Sequence, residues 1–180
     1  MTYGRRPQQR KPYDPNNPPK KWMTISHAKK RIMDYVAKRD HSEKELRTKL
    51  KPYAEAEIID QAIQWATEQK WLAAPEVLKE KFADQLHRRG KGIRSINQKL
   101  KAKGLPSTKS NFEIEITKAR KLVFAKWDAS DFNGLDFKEA QKLKAKVMRF
   151  LIARGFETDV VGQILKNDLK ARGNSHDEEF

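Results

Sequence analysis

Two stretches of the chain carry clusters of lysine and arginine that could bind phosphate groups. Residues 79–103 hold nine basic residues against two acidic ones, and residues 138–154 hold six against one. Residues 25–71 hold ten against eight, so the clusters account for much of the net charge of +15. Ammonium and guanidinium groups pair with phosphate oxygens, and clusters of them are typical of nucleic-acid-binding surfaces. The alternative is a charge that serves only solubility.

Within these clusters, the basic side chains recur at helical spacing. Lys142, Lys146 and Arg149 follow one another at i, i+4 and i+7, opposite an apolar stripe. Arg94 and Lys101 share one flank of another predicted helix. The alternative for either helix is an ordinary solvated face. The full set of candidate residues for binding DNA, or a protein filament assembled on DNA, is Arg88, Arg89, Lys91, Arg94, Lys101, Lys142, Lys146, Arg149 and Arg154.

The sequence contains no recognisable pattern of catalytic residues. The four histidines are scattered without metal-ligand spacing, and the absence of cysteine excludes a catalytic thiol and a Cys-ligated metal. Gly90-Lys91-Gly92 resembles a fragment of a phosphate loop, but the GxxxxGK[ST] spacing is absent and a helix–helix turn is the favoured interpretation. We therefore predict that the chain is not an enzyme and takes no cofactor or metal.

A sequence motif that occurs three times indicates which helices position the basic residues. Arg39–Leu50, Arg89–Leu100 and Arg154–Leu165 align without gaps. In each copy an apolar residue follows the arginine by seven positions, and a leucine follows four later. An arginine ends one helix, a short turn follows, and a second helix begins. Repetition of this kind predicts an all-α fold, an elongated and curved array of tandem three-helix repeats.

The predicted repeats cover 25–72, 73–117 and 118–170. Residues 1–24 contain five prolines and six basic residues against one acid, which predicts a disordered basic tail. This tail is either a nucleic-acid arm or a solubility segment. Residues 171–180 form a short acidic tail.

Local signals place individual helices within the repeats. Ser42 with Glu45, and Asp136 with Glu139, have the spacing of capping boxes that begin helices. Residues 112–116 alternate with the period of a strand, but the repeat predicts a helix near 107–116. A separate helix is expected from Leu122 to Trp127.

No stretch has the roughly 18 to 20 apolar residues needed to cross a membrane. The N-terminus also lacks the apolar core of a signal peptide. We expect a cytoplasmic protein without membrane contact, and a monomer.

Three segments resemble the RecX family of regulatory proteins. The run from Ser42 to Leu50 resembles the SExELRxKL signature of that family. Further segments resemble its second and third repeats: Phe82-Ala83, Arg88 to Gly92, Ile96, Leu100 and Gly104-Leu105, and then Arg149 to Leu151, Arg154 to Phe156 and Val160. The likeness covers about residues 25–168.

The resemblance implies three three-helix repeats and a non-enzymatic role. It implies binding to the RecA recombinase filament on DNA, in the helical groove of the filament. Interference with ATP turnover, strand exchange or filament extension would follow, usually as inhibition. The chain departs from the family at Leu72-Ala73-Ala74, where Leu-Asp-Asp is common, and about four extra residues precede Phe82-Ala83. The proline-rich tail is also outside the family pattern.

Other functions remain open at this point. A DNA-binding protein that acts without RecA would use one unit as a helix-turn-helix, with Gly90 to Leu100 as the recognition helix. A protein-only adaptor would bind its partner independently of salt.

Overall fold

The computed structural model describes residues 22–128, 131 and 134–168 of the chain. Most of the predicted basic tail, residues 1–21, and the acidic tail, residues 171–180, lie outside the described residues. The described part of the chain is helical and contains no strand, which confirms the all-α repeat fold. Its helices are α1 Ile25–Val36, α2 Glu43–Leu50, α3 Ala56–Glu68, α4 Pro75–Arg88, α5 Ile93–Ala102, α6 Phe112–Phe124, α7 Phe137–Arg154 and α8 Thr158–Gln163, and a π-helical turn, Ile164–Asp168, follows α8.

The chain divides into two compact units. Unit 1 contains the described residues up to Arg39 together with Leu46–Trp71. Unit 2 contains Asp40–Glu45 and the described residues from Leu72 onward. The turn before α2 and the first residues of that helix therefore belong to unit 2.

Unit 1 has an apolar core built from residues that recur at helical spacing in the sequence. Ala28 and Ile32 of α1 are fully buried, and α1 packs against α3. Four apolar residues of α3 that share one face of the helix are also buried: Ile59, Ala62, Ile63 and Ala66. The helical period in the sequence was therefore sufficient to identify this core.

Unit 2 has two clusters of buried residues. One lies between α4 and α5 and includes Leu86, Ile96 and Leu100. The other is formed by α6, α7, α8 and the π-helical turn, and contains Ile116, Ala119, Val123, Val147, Leu151, Phe156, Val160, Val161 and Ile164. These clusters hold α5 and α7, the two helices that carry most of the candidate basic residues.

The predicted helix starts of unit 2 are present. Asp136 accepts a hydrogen bond from the Glu139 amide at 2.7 Å, and the Glu139 carboxylate accepts from the Asp136 amide at 3.3 Å. The Ser42–Glu45 box has the same reciprocal bonds, at 3.2 and 3.1 Å. Pro75 occupies the first position of α4, where its missing N–H costs nothing.

The segment before α6 differs from the prediction. The helix expected near 107–116 begins only at Phe112, and it continues to Phe124 without the break expected before Leu122. The Asn97 side chain bonds both backbone groups of Thr108, at 3.0 and 2.9 Å, and holds this stretch out of a helix. Asn111 then caps α6 by accepting from the Ile114 amide at 3.1 Å. The boundary placed between residues 117 and 118 thus falls inside a continuous helix.

Candidate binding surface

Two glycine turns of unit 2 cross in direct backbone contact. The Gly92 amide donates to the Arg154 carbonyl at 2.9 Å, and the Arg94 amide donates to the Gly155 carbonyl at 3.0 Å. A Cβ atom at Gly92 would lie 2.4 Å from the Gly155 carbonyl, and one at Gly155 would lie 2.4 Å from the Cβ of Ser95. The start of α5 and the end of α7 can approach this closely only because both positions are glycine.

A carboxylate from α6 completes the start of α5. Gly92 precedes this helix and has no side chain to cap it. Glu115 is 1% exposed, and its Oε2 accepts from the Ile93 amide at 3.0 Å. Its other oxygen forms an ion pair with Lys118. The buried charge is therefore both paired and hydrogen-bonded, as burial of a carboxylate requires.

His87 of α4 completes this cluster. Its Nδ1 lies 2.8 Å from Nζ of Lys118, and since an ammonium group only donates, Nδ1 is the acceptor. Burial lowers the pKa of His87, and the charge of Lys118 lowers it further, whereas Glu115 and Asp84 oppose the shift. The surroundings of the imidazole therefore favour its neutral form.

Two of the first three amides of α5 are already bonded within the protein. Helix N-termini bind anions through free amides. Here Glu115 occupies the Ile93 amide and Gly155 occupies the Arg94 amide. We therefore expect phosphate contacts on this helix to come mainly from side chains.

A cleft opens beside the glycine crossing. Its volume is about 410 Å³, and it is lined by Arg94, Ser95 and Gln98 of α5 and by Ile152, Ala153 and Gly155 at the end of α7. Arg94, Gln98 and Lys101 follow at i, i+4 and i+7 and lie on one face of α5. This face leads away from the cleft along α5.

A basic stripe on α7 leads to the same cleft. Lys142, Lys146 and Arg149 are exposed, and Ala153 continues their spacing at i+11 into the cleft. Nε of Arg149 donates to the Ala145 carbonyl at 3.2 Å, which directs the guanidinium along the helix. The two helices therefore present basic faces that meet at one cleft.

The remaining candidate residues have other surroundings. Arg154 is half-buried, and its guanidinium lies 4.6 Å from the centre of the Phe150 ring. Arg88 and Arg89 are exposed at the end of α4, and Lys91 is half-buried in the next turn. The five candidates on the two faces that meet at the cleft are Arg94, Lys101, Lys142, Lys146 and Arg149.

Lys142 and Lys146 also line a second recess, of about 400 Å³, with Trp127 and Glu139 among its walls. Trp127 packs edge-on against Phe150 with ring centroids 5.2 Å apart, and it borders the core. The carboxylate of Glu139 is already engaged at the helix cap. The acidic wall makes this recess a weaker anion site than the cleft.

Sequence reasoning did not identify Glu115. A signal was present, because Glu115 precedes Ala119 by four residues and Val123 by eight, and so falls on the apolar stripe of α6. A charged residue on such a stripe indicates a buried partner. The partner itself, an amide 22 residues away, has no local signal.

Among the described residues, no three histidine or acidic side chains lie close enough to hold a metal ion. Within the same part of the chain, no helix combines the length and the apolar character required to cross a membrane.

Comparison with protein families gives two matches. Residues 28–65 match the first three-helix domain of RecX, and residues 113–165 match its third three-helix domain. The second match contains almost all of α6 and the whole of α7 and α8, which carry the buried carboxylate and one of the two basic faces.

Individual relatives are similar over most of their length. The chain is 35% identical over 132 residues to the regulatory protein RecX of Acinetobacter baylyi, which covers 70% of this chain and 78% of the relative. It is 32% identical over 144 residues to the regulatory protein RecX of Ralstonia pickettii, covering 76% and 85%.

Solved structures share the fold. The crystal structure of RecX from Lactobacillus salivarius superposes with a TM-score of 0.66 at 16% identity, over 82% of this chain and 97% of that one. Another crystal structure of a regulatory protein RecX gives a TM-score of 0.63 at 19% identity, over 78% and 72%.

Proposed function

Because this chain belongs to the RecX family of regulatory proteins, we propose that it binds RecA filaments on DNA and inhibits them. The observation that carries this proposal is the meeting of two basic faces, on α5 and α7, at one cleft of unit 2. A filament of recombinase on DNA is a large anionic partner. Exposed cations on two helices offer it more contacts than one helix could.

The chain would act by binding to the filament and not by catalysing a reaction. Bound in the helical groove of the filament, it would interfere with ATP turnover, strand exchange and the addition of further RecA protomers. We expect it to work as a monomer in the cytoplasm, where RecA and its single- or double-stranded DNA are found. DNA would be contacted directly or through RecA.

The test is RecA's ATP hydrolysis on single-stranded DNA, titrated with this protein and with RecA from the same organism. We expect the rate of ATP hydrolysis to fall even when far fewer than one molecule of this protein is added per RecA, because one bound molecule would block filament growth. A fall only when the protein outnumbers its DNA sites would indicate competition for DNA. No effect from a folded sample would refute the proposed function.

Charge variants test whether the basic surface is responsible. Reversal of the α7 stripe, K142E/K146E/R149E, should abolish most of the inhibition. The matched control is K30E/R31E/K38E, three exposed residues of unit 1 with the same change in net charge. If both variants lose inhibition equally, the effect depends on net charge and not on this surface.

The geometry argues against the helix-turn-helix alternative. A recognition helix contacts bases through its N-terminal residues. In α5, Ile93 is buried and Ser95 lies against the turn at Gly155, so only part of the first turn is accessible. Tight, sequence-dependent binding to duplex DNA without RecA would nevertheless favour that alternative.

A further inference from the structure

Two exposed apolar side chains border the basic stripe of α7. Met148 is 41% exposed and Ile152 is 45% exposed. They are four residues apart and so lie on the same face of the helix, one turn from each other. Arg149 lies between them in sequence and precedes Ile152 by three residues, so one surface carries both charge and apolar area.

Such a mixed surface fits a protein better than a nucleic acid. Phosphates and sugars take hydrogen bonds and charge, and aliphatic side chains gain little from them. Methionine and arginine, by contrast, are enriched where proteins bind proteins. Covering Met148 and Ile152 removes apolar area from water, which favours binding only if the partner is itself partly apolar.

The surroundings of this pair also indicate an acidic partner. Ile152 lines the 410 Å³ cleft together with Arg94, so an entering side chain would meet an apolar wall and a guanidinium group. The guanidinium of Arg149 is oriented by its bond to the Ala145 carbonyl. Its remaining N–H groups can pair with a carboxylate in two-point geometry.

We propose that Met148, Ile152, Arg149 and Arg94 form a docking site for an acidic, partly apolar segment of a partner protein. This inference rests on the proposed function, in which that partner is a RecA protomer within the filament. The α7 face then contacts the protein component of the filament, not the DNA. Charge complementarity selects the acidic residues of the segment, and the cleft accepts one of its side chains.

The test uses the double variant M148Q/I152Q, which keeps helix-forming side chains and leaves the charge unchanged. Its affinity is measured by fluorescence anisotropy for RecA filaments on labelled single-stranded DNA, and separately for the same DNA without RecA. We expect the affinity for the filament to fall about tenfold or more, as for buried interface anchors. The affinity for DNA alone should change less than about twofold, since the charge is the same.

Two further variants guard against a general effect on the protein. V77Q/I114Q alters an exposed apolar pair on α4 and α6, 45% and 57% exposed, and should leave both affinities unchanged. M148L/I152L keeps the apolar surface and should retain filament binding. Circular dichroism and thermal melting establish that each variant folds.

Several results would overturn the docking site. Equal losses on filaments and on DNA alone would assign the face to DNA. Unchanged filament binding by M148Q/I152Q, with wild-type protein still inhibiting RecA, would remove the docking site but keep the proposed function. A wild-type dimer that the variant dissociates would assign the face to a second copy. M148Q/I152Q and a variant neutralised at Asp177, Glu178 and Glu179 could both bind the filament more tightly than the wild type. That result would assign the α7 face to the acidic segment of the chain itself.

Discussion

A methyl group at Gly155 would lie 2.4 Å from the Cβ of Ser95 and 2.5 Å from its backbone nitrogen, well inside van der Waals contact. Gly155 also has φ +86°, in the left-handed region that other residues rarely adopt. The close approach of α5 and α7, and with it the meeting of the two basic faces, therefore depends on this residue.

We predict that G155A lowers the free energy of unfolding by about 2–4 kcal/mol, because it combines backbone strain with overpacking. The measurement is urea denaturation followed by circular dichroism. Gly162 of α8 is the matched control, since a Cβ there meets nothing within 4 Å. G162A should be neutral or stabilising by up to about 1 kcal/mol. Similar losses for both variants would contradict the close-approach argument.

His87 makes stability depend on pH at the scale of a single side chain. Its pKa is lowered in the folded protein, first by burial and then by Lys118, against the opposing charges of Glu115 and Asp84. Since the unfolded chain takes up a proton near pH 6.5 and the folded chain resists it, protonation favours unfolding. The stability due to neutral His87 is present above that pH and is lost as the pH falls through the lower, folded-state pKa.

We therefore expect the melting temperature of the wild type to fall between about pH 7.5 and pH 5.5 more than that of H87Q. Thermal melting at a series of pH values in constant salt measures the difference. Parallel pH profiles for the two proteins would show that His87 does not contribute.

At the scale of the helices, the two capping boxes differ in what else they bind. Asp136 is exposed, and within the described part of the chain its side chain bonds to its own helix. Ser42 is 4% exposed, and its hydroxyl both accepts from the Glu45 amide at 3.2 Å and donates to the Lys103 carbonyl at 2.6 Å. The sequence identified both caps, but the second bond of Ser42 spans 61 residues and has no local signal.

Removal of the two caps should therefore have unequal effects. D136A should lower the free energy of unfolding by about 1 kcal/mol, the usual loss of a cap. S42A should lower it by about 2–3 kcal/mol, because the partly buried carbonyl of Lys103 also loses its donor. S107A, at an exposed serine, should change it by less than about 0.5 kcal/mol. Equal losses for S42A and D136A in urea denaturation would show that the bond to Lys103 contributes nothing.

At the scale of the molecule, the helical period predicted the fold well. Apolar pairs at helical spacing, such as Ala28 with Ile32 and Ile96 with Leu100, are fully buried, because the apolar face of an amphipathic helix is the face that packs on the core. The prediction of a helix at residues 107–111 was wrong, because it rested on the repeat alone. There the side chain of Asn97 holds Thr108 in a non-helical conformation.

The candidate surface was predicted only in part, for a related physical reason. Helical spacing identified the stripe Lys142, Lys146 and Arg149 on α7. It could not show that Ala153 continues this stripe into a cleft whose other wall carries Arg94, since that depends on contact between distant turns. Five of the nine candidates lie on the two faces that meet at the cleft, and their role in binding stays a prediction.

The carboxylate of Glu115 also has a consequence for the order in which the protein can fold during synthesis. On the ribosome, α5 is made before the residue that completes its first turn, which follows Ile93 by 22 positions. The hydrogen bond from the Arg94 amide to the Gly155 carbonyl forms later still, because it requires that α7 has left the exit tunnel. The nascent chain therefore carries an α5 with an incomplete first turn while the residues from Lys103 to Gly155 are added, and unit 2 can be completed only after that.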